Sequence, residues 1–549
     1  MPGALILLPP ALLVVGGLLT WAMPPLGIPP RVPAAVATWA ALAVLIVTWL
    51  AVGRLPTTVG VVVRAVTLPP LLELDATSFA GGVILLAGVG VLVTVRRAGT
   101  AISALGTLAT ACALLAVEAG SLALLAVSVG SACLLLIAAH REEGGRLLGG
   151  LWAALMLATL GLLAAAAAVL AESGTTVYSA IPVTAFSTVP FLLVLLAVAC
   201  LSGLFPWPTW VTRSLHRSRD GAGGISLVLL TPLGLYLLLE TTALGAGTWP
   251  SGALHAFVAS WSALTLGAAG ARAQAAGSRR EALSEVALMQ VAVAAIALSL
   301  GTQLGIAAGI VGIAAATLAQ LTSLVLPTAG RLAILGGGLA VGVPPGLGFC
   351  SLALTAAASV EAAGAAQLLV LMLGGTWVFG LAAIARASRL PVPPGGSTLG
   401  GLLIVLLQLT GGALLGLFLA AVALPAAGAA IQNPNAPPPL TMTSGDVVAA
   451  AGGWGALALG ALALAFAALL PLATRRSRIE RAPEEVPAPF LRLPAPTPVD
   501  GLRWVAHRLR LRPAGWDRAL QRMQIASERG PVWLWAAIAF VLAFLVTRT

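Results

Sequence analysis

The chain has 549 residues, of which 59% are hydrophobic and 9% charged, and a formal net charge of +11. That balance excludes a soluble enzyme and points to a membrane protein. All 29 basic residues are arginine, so no step that needs a titratable amine has a lysine to use, and arginine stays charged.

Apolar runs wide enough to cross a bilayer fill the chain from Leu5 to Leu472. A span needs ~20 apolar residues. The hydropathy predicts spans near 3–22, 34–53, 77–95, 100–117, 120–139, 148–170, 189–205, 224–243, 251–270, 284–302, 304–326, 331–357, 361–385, 400–424 and 446–473, with a last one near 531–547. Lipid cannot satisfy backbone polar groups, so an all-α bundle of 14–16 transmembrane helices is expected. The first run has no basic leader and no clear cleavage site, and it reads as a retained helix.

Arginine alternates between the gaps. Arg96 and Arg97, Arg141 and Arg146, Arg213 to Arg219, Arg272 to Arg280, Arg331, and Arg386 and Arg389 follow odd-numbered spans. The even-numbered gaps carry almost none, Arg54 and Arg64 excepted. The positive-inside rule then places the N-terminus outside and residues 474–530 in the cytoplasm of a cell inner membrane. That segment is rich in Arg and Pro and contains amphipathic pieces around Leu502–Leu509 and Trp516–Met523, which suit a membrane interface or a protein partner. The charge is spread over loops, which argues against nucleic acid as a partner.

Proline and glycine interrupt the apolar runs at Leu204–Trp210 (LFPWPTW), Thr231–Tyr236 (TPLGLY), Leu324–Gly330 (LVLPTAG) and Gly342–Phe349 (GVPPGLGF). Helix interruptions are predicted near Phe205–Pro208 and Val343–Gly348. Four cysteines, Cys112, Cys133, Cys200 and Cys350, lie apart within apolar runs and read as core residues. No phosphate loop, nucleophile elbow, metal-ligand cluster or nucleotide fingerprint is present, so no cofactor or catalytic role is expected.

Five segments together resemble a family. Leu71–Ser78 (LLELDATS), Leu201–Trp210 (LSGLFPWPTW), Pro232–Tyr236 (PLGLY), Leu283–Gln290 (LSEVALMQ) and Gly342–Leu352 (GVPPGLGFCSL) occur in the order of corresponding elements in antiporter-like membrane subunits. Those subunits belong to respiratory complex I, Mrp sodium/proton antiporters and membrane-bound hydrogenases. The resemblance implies two inverted five-helix repeats with a broken helix in each. It divides the chain into N-terminal helices (1–98), a first repeat (99–245), a second repeat (246–390), C-terminal helices (391–473), the cytoplasmic segment (474–530) and a last helix (531–549).

The family also implies buried lysines that carry protons. Here Leu201, Pro232, Thr322 and Leu352 stand where the resemblance puts those lysines, and the fifth-helix glutamate falls near Ala126. The candidate ion-pathway residues that remain are His255, Glu285, Gln290, Gln320 and Gln408. Three readings stay open. One is a structural membrane-arm subunit of a complex I-like or hydrogenase-like assembly, non-catalytic itself and partnered by membrane and redox subunits. The second is a subunit conducting ions by a non-lysine relay, and the third is a stand-alone transporter.

Overall fold

The computed structural model describes residues 2–52, 57–63, 66–96, 98–142, 149–182, 186–204, 210–211, 214, 221–244, 250–276, 278–326, 331–362, 364–388 and 398–431. The interruption expected at Phe205–Pro208, the spans expected at 446–473 and 531–547, and the segment 474–530 lie outside them.

The first helices are Leu8–Ala22 (α1), Arg31–Ala51 (α2), Ala76–Val95 (α3), Thr100–Val117 (α4), Leu122–Glu142 (α5) and Gly149–Ser173 (α6). Thr188–Ser202 (α7), Ala222–Leu244 (α8), Gly252–Ala275 (α9), Arg279–Ser299 (α10) and Gln303–Val325 (α11) follow. Then come Arg331–Val341 (α12), Leu347–Glu361 (α13), Leu368–Ala387 (α14), Thr398–Ala413 (α15) and Leu415–Ile431 (α16). Among the described residues, 11 helices are long and apolar enough to cross a membrane, or 12 if the bent pair α15–α16 is one span. The chain is an all-α polytopic membrane protein.

One element departs from the all-helical expectation. Thr57–Val63 (β1) and Val66–Leu74 (β2) pair as an antiparallel hairpin. The β-branched run TTVGVVV favours a pleated strand over a helix. Asp75 then ends β2 and starts α3. Its carboxylate accepts the Ser78 amide at 2.7 Å, and the Ser78 hydroxyl accepts the Asp75 amide at 2.8 Å.

The interruption expected near Val343–Gly348 is present. The expected span 331–357 is two helices: α12 stops at Val341 and α13 starts at Leu347, with Pro344 and Pro345 between. Proline supplies no amide donor, so helical bonding cannot continue through this segment. The span expected at 400–424 is also not straight. It bends by 68° between α15 and α16, directly after Gly411 and Gly412, and a π turn at Leu419–Ala423 precedes Pro425. A Cβ on Gly412 would overlap the Pro345 carbonyl, so the broken helix and the bent helix meet backbone to backbone.

Burial places the centre of the bundle. α8 and α10 are buried along their whole apolar windows, and α11 nearly so. α10 packs on α11 through small residues: Gly312 lies against Ala294, and Gly305 against the Ala297 carbonyl. Lipid offers no hydrophobic drive for helix pairing, so such close backbone approach supplies dispersion contact instead. Both α1 and α2 leave large apolar side chains such as Trp21 and Val47 on the outside.

Candidate functional site

The helix ends created by breaks must find hydrogen-bond donors, because lipid supplies none. α7 ends at Ser202, and Gly203 follows in the left-handed region with φ +73°, which favours glycine. The indole of buried Trp210 donates to the Cys200 carbonyl at 2.8 Å, serving one of the four open carbonyls of that helix end. The same device serves the end of α12 at the Pro344–Pro345 break. Gln290, from the middle of α10, donates Nε2 to the Ala340 carbonyl at 2.7 Å, with the Val341 carbonyl at 3.4 Å. Gln290 thus acts as a cap for α12, and its Oε1 is left buried without a protein partner.

The positions that the family resemblance assigns to lysines lie on four helices, α7, α8, α11 and α13. Leu201 is fully buried in the last turn of α7. Pro232 lies inside α8, beside Gly234, whose Cβ would meet the Ser202 amide at 2.6 Å. Thr322 is fully buried in α11 and returns its hydroxyl to the Leu318 carbonyl at 2.7 Å. Leu352 is half-buried in α13. Neither α7, α11 nor α15 carries an acid, a base or a histidine, and α8 carries none before Glu240.

The candidate ion-pathway residues do not form one chain. Gln408 joins Thr322, its Nε2 lying 3.4 Å from the hydroxyl. Gln320 is fully buried on α11 with both amide atoms lacking a protein partner. His255 is half-buried one turn into α9 and bonds the Ser299 backbone. Glu285 lies near the other end of α9, against Arg272. Along α9 the 17 helical steps from His255 to Arg272 span about 25 Å, so His255 and Glu285 belong to opposite ends of the bundle.

Arg272 corrects the sequence reading, which assigned it to a loop. α9 continues to Ala275, and Arg272 lies inside the bundle. Its Nε and Nη2 are each 3.0 Å from Glu285 Oε2, with the two side chains 10% and 5% exposed. The span overran because alanine and glycine continue the helix beyond the apolar run. Nearby, Arg279 donates to the Ala387 and Ser388 carbonyls at 3.0 and 2.9 Å, and Arg386 reaches the Gln274 carbonyl. Three helices, α9, α10 and α14, are tied at this end by arginine.

Sequence reasoning also missed two side-chain pairs. His140, in the last turn of α5, lies 3.0 Å from the Ser226 hydroxyl of α8. Tyr236 of α8 lies 2.8 Å from the Val117 carbonyl and 3.1 Å from Glu240 Oε2. No sequence spacing marks the contact to Val117, which is 119 residues away; the i, i+4 spacing of Tyr236 and Glu240 does mark theirs. An apolar cavity of ≈ 690 Å³ lies between α2, α3, α11, α15 and α16, lined by Trp39, Trp49, Phe79, Leu318, Leu414 and Phe418 among others. Its lining among the described residues is almost entirely apolar, with Thr317 and Thr410 as polar members.

No family model matches the sequence, and no curated protein sequence matches it. Solved structures do match in fold. A chain of the Mrp complex from Dietzia sp. DQ12-45-1b aligns with a TM-score of 0.68 at 20% identity, over 98% of this chain and 63% of its own length. The present chain thus spans less than two thirds of that subunit. A chain of respiratory complex I from Thermus thermophilus aligns with a TM-score of 0.63 at 19% identity, over 78% of this chain and 98% of its own. A chain of the membrane-bound sulfane sulfur reductase, an archaeal respiratory membrane complex, aligns with a TM-score of 0.61 at 16% identity, over 78% and 97%. These three share an architecture with this chain, and the five motifs anticipated the same group: the chain has the fold of the antiporter-like membrane subunits.

Proposed function

We propose that the chain is a membrane-arm subunit of a multisubunit, redox-linked complex of complex I-like or hydrogenase-like type, and that it serves mainly as structure. The observation that carries this reading is the side chains at these positions on α7, α8, α11 and α13. Where the family resemblance expects lysines, the side chains are Leu201, Pro232, Thr322 and Leu352, and the helices that bear the first and third hold no titratable acid, base or histidine. An unpaired charge in low dielectric costs several kcal/mol or more, so a proton has no foothold there without a water chain. The subunit would place its repeats, 99–245 and 246–390, in the membrane with other membrane and redox subunits and surrounding lipid. The arginine-bearing loops and residues 474–530 would face the cytoplasm of an inner membrane.

Two measurements test the reading. The purified subunit in liposomes should show no proton or sodium flux above background. Deleting it should impair assembly of its complex more than it changes ion flux per electron in the complex that survives. A second reading, conduction without lysine, draws support from the Arg272–Glu285 pair and from Gln320, whose open amide atoms need water. Flux from the isolated protein that is abolished by Glu285→Ala or His255→Ala would establish this second reading and refute the first.

A further inference from the structure

Titratable side chains gather at the end of the bundle where α4 passes into α5 and where α8 ends. Glu73 comes from β2, Asp75 from the start of α3, Glu118 from the α4–α5 turn, and Tyr236 and Glu240 from α8. Tyr178 comes from the short turn after α6. Both tyrosines of the chain are here. Backbone bonds hold the α4–α5 turn in place. The Glu73 amide donates to the Glu118 carbonyl at 2.8 Å, and the Tyr178 amide donates to the Gly120 carbonyl at 3.1 Å. Leu72 pairs with Ala119, and Ser121 with Val177.

The hydrogen-bond count around Tyr236 does not close with an ionised Glu240. A phenol has one proton to donate. Tyr236 Oη faces two oxygens, the Val117 carbonyl at 2.8 Å and Glu240 Oε2 at 3.1 Å. A carbonyl oxygen and a carboxylate both only accept, so one of the two would be left unserved. The count closes if Glu240 is a carboxylic acid. Its O–H then donates to Tyr236 Oη, and the Tyr236 O–H donates to Val117.

Two further polar groups at this end lack partners. The Tyr178 hydroxyl oxygen is shielded and has no partner among the described residues. Glu118 has a fully buried side chain, and neither carboxyl oxygen has a partner. An ionised carboxylate without a partner is not sustained in such a place; the group takes up a proton instead. Burial raises the Glu118 carboxyl well above its ordinary range.

We propose that this end of the bundle is a proton-binding site, with one proton held on Glu240 and bonded through Tyr236 to the Val117 carbonyl, and a second held on Glu118. The binding step is COO⁻ + H⁺ → COOH at each side chain and needs no other reactant. The site stands whether or not the subunit conducts ions across the membrane, because it occupies one end of the bundle only.

Infrared difference spectroscopy on the full chain in lipid vesicles at neutral pH tests the proposal. The protein should show carboxylic-acid C=O bands that shift in D₂O. Glu240→Gln should remove one band and Glu118→Gln another. Tyr236→Phe should leave the Glu240 band in place but move it, since the acid loses its hydrogen-bond acceptor. Tyr236→Phe also keeps the test decisive if a glutamine variant does not fold. Bands unchanged by Glu240→Gln and Glu118→Gln, or an unmoved band in Tyr236→Phe, would overturn the assignment.

Discussion

Replacing Arg272 with leucine should strip from Glu285 the counter-charge it meets among the described residues. Arg272 Nε and Nη2 stand 3.0 Å from Glu285 Oε2, with 10% and 5% of the side chains exposed. At an effective dielectric of about 20, the attraction at that distance is ~5.5 kcal/mol. Desolvation of each ion costs several kcal/mol, so the intact pair contributes little net stability. Removing one member leaves the other's desolvation uncompensated, at about 3–5 kcal/mol. Arg272→Leu and Glu285→Leu should each lose that much, whereas Arg272→Leu/Glu285→Leu should lie within ~1 kcal/mol of the unmodified protein. Unfolding of the purified protein by sodium dodecyl sulfate in mixed micelles, followed by circular dichroism, measures all three. A single variant that loses under ~1 kcal/mol would show that the pair is solvated, and a double variant that loses the sum of the singles would show no coupling.

Gln290→Leu leaves the Ala340 and Val341 carbonyls at the end of α12 without their side-chain donor and should cost about 1–3 kcal/mol in the same unfolding assay; an unchanged stability would mean another donor already serves them. Glu118 gives a pH dependence with a defined sign. Its folded pKa lies well above the unfolded one, so its contribution is complete below the unfolded pKa of ~4.3 and is lost as pH rises toward the folded value. Glu118→Gln should therefore flatten the fall in stability above that pH, and a variant with the unmodified protein's slope would refute the argument. Cysteines introduced by Arg217→Cys and Ser477→Cys should be shielded from an impermeant reagent added outside intact cells; labelling of both would reverse the orientation.

Much of the architecture was legible in the residues because its causes are local. Span lengths follow from apolar runs, since a helix satisfies its own backbone in lipid whatever its neighbours are. The Pro344–Pro345 break follows from two missing amide donors, and the start of α3 from the Asp75–Ser78 spacing. The β1–β2 hairpin was locally encoded too, by its β-branched run, but the apolar pattern around it masked the signal. The close approach of Pro345 to Gly412, just before the bend, joins segments 67 residues apart, which no local pattern states.

The order of five motifs was enough to anticipate the fold, but not the partners of any polar side chain. Asp75 finds its partner, Ser78, only three residues along the chain. Gln290 could not be placed at a helix break because the carbonyls it serves are 50 and 51 residues away. Arg272 read as a loop residue, since hydropathy ends a span where the apolar run ends, and only the opposing Glu285 shows why an arginine is tolerated inside. Tyr236 meets Val117 across 119 residues, and Gln408 meets Thr322 across 86. Among the described residues, sequence by itself picked out the helices long and apolar enough to cross a membrane, because transfer into lipid is a property of each segment. The tertiary structure alone decided which buried polar groups are paired and which are left open. In low dielectric that pairing depends on contacts within about 3 Å, between residues that only folding brings together.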